Sequence, residues 1–96
     1  MVIPGYQEIQ KELISDLRFP QSDVLSEKEK IFARQNDLDR ALALGNLEHS
    51  KIRIYFEDED SMKMVETTVW GVTDNRVILK QGVVIPIGRI HSVQLQ

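Results

Sequence analysis

The side chains with catalytic potential are few. His49 and His91 are the only histidines in 96 residues and there is no cysteine, which excludes a thiolate nucleophile, a disulfide framework and a thiolate zinc site. Two histidines need a serine or a carboxylate from elsewhere in the fold to complete a nucleophile, base and acid. If the first and last strands pair antiparallel, His49 falls beside Gln96 and far from His91. His91 shares strand parity with Val93 and Leu95, which reads as a hydrogen-bonded histidine at a strand end rather than a catalyst. Glu57, Asp58, Glu59 and Asp60 offer hard oxygen ligands. A calcium loop, however, needs Gly at its sixth place and Glu at its twelfth, and counting from Asp58 those places hold Lys63 and Val69. The run reads instead as a solvated turn that discourages edge pairing. No phosphate-cradling glycine loop, nucleophile elbow or HExxH motif is present. The expectation is a chain that is not an enzyme and uses no metal or cofactor.

What remains is binding chemistry. A net charge of -3 argues against general affinity for phosphate backbones. The charge is uneven, however: residues 1–50 carry six basic and nine acidic side chains, residues 51–96 six of each. Four of the later acids sit together in the Glu57 to Asp60 run, so the rest of that half is basic. Arg53, Arg76 and Arg89 could meet phosphate there, and Tyr55 could stack a base. The other candidate surface is the continuous apolar run Val83, Val84, Ile85, Pro86 and Ile87, which a monomer this small has difficulty covering on both faces.

Two kinds of element must position these groups. Tyr6, Ile9, Leu13 and Leu17 recur every three or four residues, so one amphipathic helix is expected there, ended by Pro20. Ser26 and Glu29 have the spacing of a capping box for a second helix from about Glu27 to Gln35. Asn36 and Asp37 can cap a third, 38–44, closed by Gly45 in the left-handed conformation; the last two helices could equally be one bent helix. After Ser50 the period falls to 2. Five strands are expected: around Ile52, Ile54 and Phe56; over 62–72, either covered on both faces or switched between them by a bulge for which Gly71 is the best site; around Val77 and Leu79; over 83–87; and over 90–95. Ile52, Ile54, Phe56, Val77, Leu79, Ile85 and Ile87 should be buried. The predicted fold is α+β, one domain over 1–96: a helical part, 1–49, and a five-strand antiparallel small β-barrel, 50–96.

The stretch from Thr73 to Gly82, with Ile85, Pro86, Ile87, Gly88, Arg89, Ile90, His91, Ser92 and Val93, resembles the third to fifth strands of Sm-like proteins, a family of small SH3-like barrels that includes bacterial RNA chaperones. The resemblance implies a central strand at 76–80, a short helical turn at 86–90 and a helix before the first strand. It also implies an RNA-facing cation at Arg89, although where the chaperones carry a Lys-His pair this chain has Gly88 and Arg89. The partners to expect are the chain itself as a homo-oligomer, and single-stranded RNA or a protein of the RNA and transcription machinery. No apolar run approaches the roughly 18 residues a membrane span needs, and the first residues do not form a secretory signal, so the cytoplasm is the expected location.

Overall fold

The computed structural model describes residues 3–95. A two-residue strand, β1 (Gln7–Glu8), and a 3-10 helix (Lys11–Asp16) lead through an extended segment to α1 (Lys28–Glu48). Beyond Ser50 come β2 (Ile52–Glu57), β3 (Met62–Thr67), β4 (Val69–Val72), β5 (Arg76–Leu79), β6 (Val84–Pro86) and β7 (Ile90–Gln94). The fold is α+β, one long helix followed by strands. The strands form two open sheets, a mixed one in the order β1-β3-β2-β7 and an antiparallel one in the order β4-β5-β6.

The expected closed ring of five strands is therefore replaced by two sheets, for a local reason. The long strand expected over 62–72 breaks at Thr68, whose carbonyl accepts from Lys80 N–H at 3.0 Å. Register then slips between Val69 and Gly71, so Trp70 is the extra residue of a bulge beside the glycine singled out in the sequence. β5 and β6 are only four and three residues long, too short to extend the ladder to the other sheet.

All seven apolar side chains expected inside are buried, and with Ile14, Leu38, Ala41, Val65, Val69, Ile90 and Val93 they form one core between the sheets and α1. Each such Ile, Val or Leu stabilises the fold by about 1.5–3 kcal/mol relative to exposure.

The helical half departs further from expectation. No helix spans Tyr6 to Leu17. Ile9 N–H donates to Met64 C=O at 2.9 Å, extending the pairing of β1 with β3, and an isolated helix of that length has little stability to set against a sheet edge. The stripe survives in part: Ile9 and Leu17 pack against the core, but Leu13 is 53% exposed and Ile14 enters the core instead. The two later helices are one. Glu27 takes the N-cap position without a side-chain cap, so the Ser26 and Glu29 box does not form. Gly45 lies inside α1 rather than at its end, because a Cβ there would collide with the Val69 carbonyl oxygen where the helix meets β4. The left-handed residue that ends the helix is His49, at φ 54°.

Candidate functional site

The segment between the 3-10 helix and α1 runs across the sheet ends as an extended arm. Arg18 C=O accepts from Glu59 N–H at 2.9 Å, and Val24 N–H donates to Gly88 C=O at 2.8 Å. Phe19 packs on Phe56 with ring centroids 6.1 Å apart. Between this arm and the two turns at 73–76 and 86–89 lies a cleft of about 500 Å³, with an apolar side formed by Phe19, Pro20, Pro86 and Ile87 and a charged side bearing Arg34, Arg76 and Arg89.

The three arginines differ in what they already hold. Arg89, the cation the sequence placed toward RNA, is 5% exposed. Its Nε donates to Glu57 C=O at 3.1 Å, and its Nη1 to Ser22 C=O at 2.8 Å and Ser22 Oγ at 3.3 Å. Arg34, not singled out in the sequence, is equally buried. It grips Asp23 with both terminal nitrogens, at 2.9 and 2.7 Å, and also donates to Ile90 C=O at 3.0 Å. Its Nε has no partner. The Arg34 guanidinium holds the Asp23 carboxyl below its usual value, against the upward push of partial burial. Arg76 is exposed at the cleft mouth, at the start of β5.

The other two residues assigned to nucleic acid are placed elsewhere. Arg53 stands on β2 and donates through Nε to Glu66 at 3.1 Å, its cross-strand neighbour in β3. Tyr55, expected to stack a base, is fully buried. Period-2 alternation did place it on the face away from the main core, together with its cross-strand partner Met64. That face is covered because Tyr6, just before β1, meets the Tyr55 ring edge-on at 4.9 Å, while Tyr55 Oη donates to Gln94 Oε1 at 2.9 Å. Burial, with a smaller contribution from Glu57, raises the Tyr6 phenol above its usual value. Of the apolar run, Ile85 and Ile87 are buried, Val83 and Pro86 half-buried and Val84 exposed.

The acidic run is less solvated than its sequence suggests. Asp58 is 2% exposed and organises the turn: Oδ1 accepts from the N–H groups of Asp60 and Ser61, both at 2.8 Å, and Oδ2 from Lys63 Nζ at 2.5 Å. Burial pushes this carboxyl up, but Lys63 and the two backbone donors outweigh it and hold it below its ordinary 3.8.

His91 pairs through Nε2 with Glu57 Oε1 at 2.8 Å, while His49 caps α1; the neighbour expected for His49, Gln96, lies outside the described residues. Among the described residues no group of three or more His, Asp or Glu is placed to hold a metal ion, and no helix is long and apolar enough to cross a membrane. A second, polar cleft of about 280 Å³ gathers Lys11, Lys51 and Lys80 near Thr67 and Thr68, a grouping that linear charge counting does not reveal. Compared with known proteins, the chain matches no family model, no curated protein and no solved structure.

Proposed function

We propose that this chain is a non-enzymatic, cytoplasmic interaction module, a split form of the Sm-like small barrel, that self-associates through the outer edge of β6. Connectivity supports the kinship. Followed from β7 through β2, β3, β4 and β5 to β6, the strands keep the order of a five-strand small barrel whose second strand is divided at Thr68. A 3-10 turn, Ile87–Arg89, leads into the last strand where the resemblance expects a helical turn.

The β6 edge is the observation that carries the reading. Leu79 N–H donates to Val83 C=O at 2.6 Å and Ile87 N–H to Asn75 C=O at 3.0 Å. Alternation along the strand then turns Ile85 toward β5 and the backbone groups of Val84 and Pro86 outward. Among the described residues no backbone hydrogen bond from outside the sheet reaches either of them. The Val84 residue itself is 36% exposed. Pro86 has no N–H, so an added strand meets one donor and two acceptors, which restricts its register. β7 offers no equal opportunity, because Arg34 of α1 already occupies the Ile90 carbonyl.

Light scattering on the eluting protein at micromolar concentration tests this. A discrete oligomeric mass is expected for the natural chain and a monomeric mass for Val84→Lys with its fold intact. A monomeric natural chain removes the proposal.

A second reading, single-stranded RNA or a protein of the transcription machinery bound at the cleft, is supported by Arg76. It is an exposed cation beside the apolar surface of Phe19 and Pro86. Arg76→Ala should weaken RNA binding and lower its log-log salt slope by roughly 0.7 for a single strand. Absence of RNA affinity at low salt removes this reading.

A further inference from the structure

We infer that the arm around Ser22 and Asp23 is a displaceable internal ligand, occupying a two-arginine site whose external ligand is an extended, carboxylate-bearing segment of a partner protein. Asp23 sits on Arg34 in the two-pronged geometry that a guanidinium offers any carboxylate, at 2.7 and 2.9 Å. One residue earlier, the Ser22 carbonyl takes Arg89 Nη1 at 2.8 Å, and one residue later Val24 N–H reaches Gly88 C=O at 2.8 Å. Three consecutive residues are thus read as a bound peptide is read, by backbone groups flanking one acidic side chain.

Apolar packing does little to secure this stretch. Ser22 and Asp23 are exposed and Val24 and Leu25 only half-buried, whereas Arg34 and Arg89 beneath them are both 5% exposed. Opening residues 22–25 alone would therefore uncover two guanidinium groups while leaving the apolar core, and the contacts of Leu17 and Phe19 with it, in place. Local opening of this kind is expected where few apolar contacts hold a segment. Arg34 Nε, buried without a partner, is a donor the internal ligand leaves unused and a repositioned carboxylate could take. The tether gives the arm an effective concentration in the millimolar range, so an external segment competes only when the arm is weakened or the rival peptide fits better.

The test uses the full chain and a fluorescent peptide copying residues 17–25. Two variants loosen the arm without replacing either arginine: Asp23→Asn, which removes the carboxylate held by Arg34, and Val24→Pro, which removes the donor to Gly88. Both should bind the peptide at least tenfold more tightly than the natural chain, and a peptide with Asn in place of its Asp should lose about that factor. Equal affinity in the natural and loosened chains, equal affinity for the two peptides, or global unfolding of either variant would each overturn the inference, the last because an arm that opens alone cannot be needed for folding.

Discussion

The arm before α1 and the strands after it obey different rules. In β2 the core-facing set follows from local alternation: Ile52, Ile54 and Phe56 enter the core at every second place. In the chain before α1, several backbone groups are satisfied instead by residues far along the chain. Ile9 answers to Met64, Arg18 to Glu59, Ser22 to Arg89 and Val24 to Gly88. A period of three or four in apolar residues there does not produce a helix, because the pairing of β1 with β3 and the contacts with the sheet ends compete with it. Helical periodicity predicts a helix only where no sheet edge lies within reach of the same backbone.

The largest effect that would sharpen this contrast is in the core of the strands. Ile54→Ala should cost about 3–4 kcal/mol, with every spectroscopic probe shifting together in denaturant. A smaller loss confined to the arm would contradict the assignment of stability to the strands.

Gly45→Ala comes next. Alanine would ordinarily favour a helix interior by about 1 kcal/mol. Here the added methyl meets the Val69 carbonyl, and a net loss of about 2 kcal/mol is expected in thermal unfolding. A stabilised variant would mean that α1 does not approach β4 so closely.

Asp58→Asn should cost about 1–2 kcal/mol at neutral pH through loss of its charged hydrogen bonds. Because the folded carboxyl lies below the ordinary value of 3.8, its contribution is present above that pH and is lost as pH falls through the lower folded value. The natural chain should therefore lose stability in acid below about pH 4 more steeply than the variant. Parallel acid curves would show that Asp58 is not held in its charged form.

The smallest effect is a gain. His49 holds a left-handed backbone that costs a side-chain residue roughly 1 kcal/mol, so His49→Gly should raise stability by up to that amount in the same assay.

In the sequence the buried side is legible in β2, β5 and β6, where apolar alternation is a local property of a pleated chain, but not over 62–72, where apolar residues fall on both faces. The pairing of Arg53 with Glu66 is not legible, since it depends on register between strands. Arg89 and Tyr55 were read as solvent-facing for the same underlying reason: their covers, Ser22 and Tyr6, come from a segment dozens of residues earlier whose course no local pattern records. In the sequence Asp58 is one of four adjacent acids with nothing to distinguish it; in the fold it is the one that buries against Lys63. The sequence suggests that Gly45 ends a helix, whereas it lies inside α1 and serves the close approach of helix to strand.

The claim that β6 is the associating edge is tested most directly at one amide. Val84 N–H points away from β5, while the Ile85 N–H lies within the sheet. Hydrogen exchange of the natural chain, followed as protein concentration rises, should show Val84 gaining protection while Ile85 stays protected throughout. Rapid exchange at Val84 at every concentration, with Ile85 still slow, would contradict the account.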